Sequence, residues 1–521
     1  MTTNNKKILD PLPLLILTLA LGMGTFIQIL DTSIANVAIP YIAGDLGVSP
    51  NEGTWVITSF AVSNAIILPL TGFLSQRYMD VRVFIWSTAL FSLSSWACGF
   101  SWSLSSLIFF RVIQGATGGT LIPLSQSLLL KNYPPEKKGL ALGFWSTVVI
   151  VAPILGPILG GYITDNYGWR WIFYINIPIG LLSTYLTWML IGDEKQKTTK
   201  VPLDYIGLSL LIIAIAALQI LLDQGDQMDW FSSPFILTLG CISAIGFYFF
   251  IPWNYLSKHP VVDFSCFQYR NFTIATILSA LGYMVFFGSV VLVPLWLQTE
   301  QGYTAFWAGI AVAPIGIIPL FLSVLVGKYI HIIDARAILT FSFAMFSLTF
   351  YWFSGFVTDI SLYQIMLPRF IQGLGVACFF VPLVTIALSP IPHDKLSSAS
   401  GIFNFTRLVA GGGIGTSLFV SMWNRWHQYY HARIAETATV YAQATVEFLE
   451  DAKALGLRNE QALKLLDNTV NNQAFILSLN DLFFLASLMF LVLIPPIWLC
   501  YAPKHDENHN EDEELEPLIA D

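Results

Sequence analysis

The sequence predicts an all-α polytopic membrane protein, two six-helix bundles with two further helices inserted between them and fourteen transmembrane helices in all. Three observations predict it. The 521-residue chain is 55% hydrophobic and only 11% charged, whereas a soluble chain of this size needs far more charge on its surface. Apolar segments of the roughly 20 residues that cross a bilayer recur along its whole length. A set of motifs also occurs twice. Arg111-Val-Ile-Gln114-Gly115 returns as Arg369-Phe-Ile-Gln372-Gly373, an offset of 369 − 111 = 258. Pro135, Lys138 and Gly143 are echoed by Pro392, Lys395 and Gly401, and Asp80-Val-Arg82 by Asp334-Ala-Arg336.

In chain order the expected spans lie near 12–37, 54–75, 82–101, 104–128, 139–162, 170–191, 203–222, 234–255, 272–297, 305–328, 336–356, 362–388, 400–423 and 479–501. A helix of this length satisfies every backbone polar group within itself, as a bilayer demands, so each span is read as a helix. The first continues to Pro40, too long for the apolar part of a signal peptide, and reads as an uncleaved span. The expected organisation is an N-terminal bundle over 1–192, two inserted helices over 193–262, and a C-terminal bundle over 263–505. Residues 506–521 form an acidic tail. Residues 424–478 are polar and helix-favouring. Tyr441, Ala444, Phe448, Ala452 and Leu455 form a loose apolar stripe there, and Leu463, Leu466 and Val470 start a second, which predicts a helical hairpin outside the membrane.

Basic residues in short loops set orientation. Arg77, Arg82, Lys131, Lys137, Lys138, Lys195, Lys197, Lys200, Lys258, Arg270, Lys328, Arg336 and Lys395 fall on one side. The opposite loops carry Asp45, Glu52, Asp165, Asp223, Asp226, Asp229, Glu300 and Asp359, with Arg170 the main exception. Both termini are therefore expected in the cytoplasm. Five scattered cysteines form no C-x-x-C pair. No G-x-x-x-x-G-K-[ST] phosphate loop, H-E-x-x-H or G-x-S-x-G is present, so direct use of ATP and membrane hydrolysis lack support.

A carboxylate inside a membrane helix is expensive and marks function. Asp31 is such a residue, about 13 Å below the outer end of its helix at ~1.5 Å per residue. Gln28 shares its face and Asn36 is within reach. Arg111 enters the fourth helix about 10 Å deep, at a depth that suggests contact with Asp31. A nearby guanidinium and desolvation act in opposite directions on a carboxylate, the requirement for a proton-coupling site; a fixed structural ion pair fits the same pattern. Arg369 has no carboxylate partner at the matching place and reads as a structural tie. Arg407, in Asn404-Phe-Thr-Arg407, suits an acidic substrate or an interhelical clamp. Trp55, Asn64, Gln114, Phe144, Tyr283 and Phe287 are further candidate substrate-binding residues. Pro153, Gly156, Pro157, Gly160 and Gly161 place a kink and close-packing glycines in the fifth helix.

Together these motifs resemble the major facilitator superfamily, specifically the fourteen-helix drug:proton antiporters of the EmrB type. Leu30-Asp31-Thr32-Ser33-Ile34-Ala35-Asn36-Val37-Ala38-Ile39-Pro40 is similar to that group's first-helix signature. Arg111-Val-Ile-Gln114-Gly115 is similar to its proton-transfer motif, and Gly156-Pro157 with Gly160-Gly161 to its antiporter motif. The resemblance implies a major facilitator fold and proton-driven export of hydrophobic compounds by alternating access, without a cofactor. It also implies an inner-membrane location and partners resembling the EmrA adaptor and the TolC outer-membrane channel. The loop Gly72-Phe-Leu-Ser-Gln76-Arg77-Tyr-Met79-Asp80 departs from the family pattern G-x-L-a-D-r-x-G-r-k, with Gln for Asp and Met for Gly. Arg77, Asp80 and Arg82 are candidates to rebuild the conformational latch at that loop. A narrow-spectrum metabolite carrier on the same fold stays open, as does a non-transporting receptor or scaffold, although a scaffold needs no acid and base at matched depth.

Overall fold

Apolar side chains without water around them leave the chain one economical solution, the helix, and the computed structural model is built of helices throughout its described residues, 11–192, 202, 204–258, 260–439 and 441–501. Lys195, Lys197, Lys200 and the acidic tail 506–521 lie outside them.

The long helices are α1 (Pro11–Leu46), α2 (Trp55–Tyr78), α3 (Asp80–Gly99), α4 (Leu104–Asn132), α5 (Lys138–Tyr167), α6 (Trp171–Ile191), α7 (Tyr205–Gln224) and α8 (Pro234–Leu256). They continue with α9 (Arg270–Thr299), α10 (Phe306–Tyr329), α11 (Ala335–Phe353), α12 (Leu362–Leu388), α13 (Leu396–Leu408, a π-helical stretch Val409–Gly415, then Thr416–Thr437) and α14 (Asn459–Val492). Twelve are long and apolar enough to cross a membrane; α5, bent by 43° near Pro153, makes thirteen. The expected span at 400–423 belongs to α13 and falls outside that set. Its membrane-depth stretch buries Ser397, Ser398, Ser400, Asn404 and Arg407 instead of presenting apolar side chains to lipid.

Helix α1 packs on α5 and α6, α2 on α4, and α3 on α4 and α6. In the second half α9 lies against α13, and α11 against α12 and α14. The halves meet where α2 and α4 touch α13 and where α5 touches α10. Small residues make that approach possible. Gly139 and Gly327 face each other backbone to backbone, Gly143 lies on the Ser323 carbonyl, and Gly401 lies on Leu68. The inserted helices pair with each other, and α7 also packs on α2 and on the π-helical stretch of α13.

Beyond that stretch, α13 continues as one arm of a helical hairpin and α14 starts as the other. His427 stacks on Phe475 with ring centroids 3.6 Å apart, and Trp423 donates its indole N–H to the Phe475 carbonyl at 3.2 Å. The short helix Gln443–Ala454 lies on α14. Its buried face keeps only part of the expected stripe, with Phe448 half-buried. Thr445 and Ala452 are buried, while Ala444 is exposed, Tyr441 is 93% exposed and Leu455 is 80% exposed. Tyr441 and Leu455 lie just beyond the two ends of this helix, where helical spacing no longer governs direction.

Gly139→Leu is expected to force α5 and α10 apart, because a side chain there meets the Gly327 backbone. Spin-label distances across the Lys131–Ser397 end of the halves should lengthen, without loss of helicity by circular dichroism.

Candidate functional site

Inside the first half, five helices converge on one carboxylate. Asp31 is 2% exposed. Its Oδ2 accepts from Arg111 Nη1 at 2.5 Å, and its Oδ1 accepts from Gln114 Nε2 at 3.0 Å and from Asn176 Nδ2 at 2.8 Å. Ser95 Oγ accepts from both amides, at 3.2 and 3.0 Å, and gives its own hydrogen to the Phe173 carbonyl. Arg111 is fixed further by its Nε–H to the Val56 carbonyl at 2.9 Å and by Nη1 to Gln114 Oε1 at 2.8 Å. The guanidinium carbon sits 4.3 Å from the centre of the Phe60 ring, a cation–π contact. Arg111 Nη2 has no partner, so the cation keeps a donor in reserve.

Local sequence explains the convergence. Arg111 and Gln114 are three apart on α4 and so share a face. Gly115 allows α4 to lie against the Phe60 backbone of α2, where a larger residue would collide. On the other side of α1, Ser33 donates to the Pro153 carbonyl at 2.9 Å. Pro157 has no N–H to give to that carbonyl four residues back, so the kink frees an acceptor and Ser33 uses it. Gly156 leaves room for the Ser33 side chain, and Gly160 packs on Ile34. Gly161 faces open space.

Other candidates are distributed differently. Gln28 is buried beside this knot with an unpartnered Oε1, and both amide atoms of buried Asn64 lack partners. Asn36 is exposed, and five residues along a helix turn it about 140° from Asp31; it takes no part in the knot. Phe144 is 39% exposed, and the buried aromatic there is Trp145, whose indole N–H reaches Ser125 at 2.9 Å. Trp55 is half-buried.

In the second half Arg407 Nη1 donates to the Tyr283 hydroxyl at 2.9 Å, and its guanidinium stands 4.8 Å over the Tyr283 ring. Phe287 stacks on that ring at 5.2 Å. Among the described residues no carboxylate pairs with Arg407. Asn404 Nδ2 reaches across the halves to Gln126 Oε1 at 2.7 Å.

The duplication is visible in the side chains. Arg369 donates from Nη1 to Gln372 at 2.8 Å, as Arg111 does to Gln114. The offset of 258 residues carries Asp31 to Ser289, since 31 + 258 = 289, and Arg369 Nη2 donates to the Ser289 carbonyl at 3.1 Å. The second half keeps the cation and replaces the acid by a backbone acceptor.

At the altered 72–80 loop, Met79 has φ +75°, a conformation that favours the glycine the family carries there. Asp80 is fully buried and pairs with Lys131 of α4. It also accepts from Ser397 Oγ of α13 at 2.8 Å, so a carboxylate of one half is held by the other half. Arg82 is exposed; Arg77 lies 5.5 Å over the Tyr78 ring. The equivalent Asp334 pairs locally with Arg336, which holds its carboxyl below the usual carboxylate range. Sequence reading passed over Asn176, Ser95, Gln126 and Ser397. Asn176 carried a signal, an amide inside the apolar run Trp171–Ile179; serines in apolar helices carry almost none.

A buried acid–base pair in one half of a duplicated helical membrane protein, with both halves closing on one another, defines a transporter. The Major Facilitator Superfamily model matches residues 21–416, and the chain belongs to that family, in its EmrB-type branch. It is 48% identical over 96% of its length to the multidrug export protein EmrB of Escherichia coli K12, covering 97% of that protein. It is 46% identical over 94% to the fatty acid resistance protein FarB of Neisseria gonorrhoeae, covering 96%. The solved proton:xylose symporter XylE superposes with a TM-score of 0.60 at 12% identity, covering 94% of this chain and 96% of that one, a likeness of fold. The protein is an integral multi-pass membrane protein.

Removing Arg111 alone leaves Asp31 charged and buried. Arg111→Gln is expected to lower stability by about 3–5 kcal/mol, read as a drop in the thermal unfolding midpoint in detergent. Asp31→Asn combined with Arg111→Gln should restore most of that loss.

Proposed function

We propose that this protein is a proton-driven antiporter that exports hydrophobic compounds, with Asp31 as the residue that carries the proton. The observation that carries this reading is the Asp31–Arg111 pair, an acid and a cation sealed from water at the meeting point of five helices. A proton taken by Asp31 removes its charge, and Arg111 then keeps its bonds to the Val56 carbonyl and Gln114. The helices bearing the two residues are thereby released from an electrostatic tie. Alternating access requires such a change, because rocking one bundle against the other breaks contacts that the unprotonated pair stabilises. The loop charges support a cytoplasmic side for both termini. Asp80, Lys131 and Ser397 then close the inner side between the halves, the work of the family's latch with a displaced carboxylate.

The names of the relatives, multidrug export and fatty acid resistance, support export of apolar and amphiphilic molecules. Arg407 with Tyr283 and Phe287 offers a cation framed by aromatic rings, suited to an acidic head on an apolar body. The hairpin of α13 and α14 presents Tyr441, Leu455 and Leu463 to solvent. Those residues are the proposed contact with a periplasmic adaptor resembling EmrA, which would connect the protein to a channel resembling TolC in a tripartite pump.

In proteoliposomes, substrate addition should move protons in the wild type and at most half as many with Asp31→Asn, while size-exclusion profiles stay unchanged. Undiminished proton movement in that variant would overturn the assignment. Arg407→Ala should reduce export of acidic substrates at least tenfold more than that of cationic ones; equal losses would make Arg407 a structural clamp.

A further inference from the structure

Asp223, which the loop pattern assigned to a connection, is the penultimate residue of α7 and a further buried carboxylate that the Asp31 site does not use. Its Oδ1 accepts from Gln219 Nε2 at 3.0 Å, while its Oδ2 is buried and has no hydrogen-bond partner. Among the described residues no cation pairs with it. An ionised carboxylate buried with only neutral donors and no cation is unfavourable. The Thr58 hydroxyl of α2 lies beside it as one such donor. We propose that Asp223 is a second proton-binding residue of the transport cycle.

The surroundings give this proton something to control. Helix α7 lies between α2 of the first half and α13 of the second. Gln224 donates to Thr54 and Thr58 of α2, each at 3.3 Å, and Ser417 of α13 donates to the Leu222 carbonyl at 2.6 Å. Gln219 packs on Gly413 in the π-helical stretch. None of these neighbours titrates. From α8, Ile236 and Leu239 are apolar and join Leu221 and Leu222 in one cluster. The next acid along the chain, Asp226, is taken by Ser421 at 3.0 Å and Asn424 at 3.4 Å, both on α13.

Helix α2 links the two acids. Val56, whose carbonyl holds Arg111, stands between Thr54 and Thr58, which meet α7. Movement of α13 away from α2 admits water to Asp223 and lets its proton leave, and the same movement of α2 reaches the Arg111–Asp31 pair. The inserted helices thereby add a proton site wedged between the halves. This inference rests on the proton-coupled reading, and its test separates the two.

Protons released on binding of a hydrophobic substrate are counted for the purified full-length protein, for Asp223→Asn, for Asp31→Asn, for the double variant, and for Asp226→Asn as a control. The expected result is that each single variant at Asp31 or Asp223 halves the count, the double variant abolishes it, and Asp226→Asn matches the wild type. A wild-type count with Asp223→Asn overturns the proposal and leaves Asp31 standing. A wild-type count with Asp31→Asn and a reduced one with Asp223→Asn overturns the Asp31 reading alone. Loss of cationic substrates with an unchanged count assigns Asp223 to substrate recognition and also overturns the proposal. Should Asp223→Asn fail to fold, the wild type decides: dicyclohexylcarbodiimide, which modifies protonated buried carboxyls, should label the peptide bearing Asp223 less as pH rises. Absence of label at every pH overturns the assignment.

Discussion

Burying a carboxylate and a guanidinium away from water carries a desolvation cost that their attraction offsets only when the remaining donors and acceptors are also satisfied. Asp31 and Arg111 largely meet that condition through helices that are distant in sequence, with Arg111 Nη2 left over among the described residues. Gln114 and Asn176 complete the carboxylate, and Val56 and Phe60 complete the cation. The packing of α1, α2, α3, α4 and α6 is therefore tied to one charged pair. Neutralising it changes the relative stability of helix arrangements as a set, which is the physical basis for reading it as a coupling site and not as a passive brace.

The duplicated half supplies an internal comparison. Arg369 repeats the geometry of Arg111 toward its glutamine, but the acid has become Ser289, which offers a backbone carbonyl. A carbonyl cannot lose or gain a proton in this range, so the second half retains the architecture without the chemistry. Its buried cation nearer the interface, Arg407, is bound by a phenol and aromatic faces. Among the described residues electrostatic function is thus divided: an acid–base pair in one half and two buried cations without a carboxylate, Arg369 and Arg407, in the other.

Contacts between the halves follow the same division. At one end, close backbone approach through Gly139, Gly143 and Gly327 combines with Asp80, Lys131 and Ser397. Further along α2, α7 is interposed between α2 and α13. The inserted helices are consequently part of the interface that must change in any rocking motion, and their polar residues Gln219, Asp223 and Gln224 are placed there.

Hydrophobic segments, loop charges and the 258-residue repeat made the helical membrane fold and its duplication legible in the sequence, because a bilayer restricts backbone and charge so severely. Asp31 and Arg111 stood out for the same reason. Ser95 did not, since a serine hydroxyl crosses the bilayer at little cost, and the amides Asn176 and Gln126 gave no sign of their partners, which lie on other helices. The expected α13 span differed because its buried face is polar, and the stripe through Tyr441 and Leu455 pointed outward because those residues lie past the ends of their helix. By itself the sequence determined which segments are helices and which carry charge at depth. Only the tertiary structure decided which acid meets which base, and which donors complete them, since hydrogen bonds are set by side chains brought within 3 Å of one another by packing between helices.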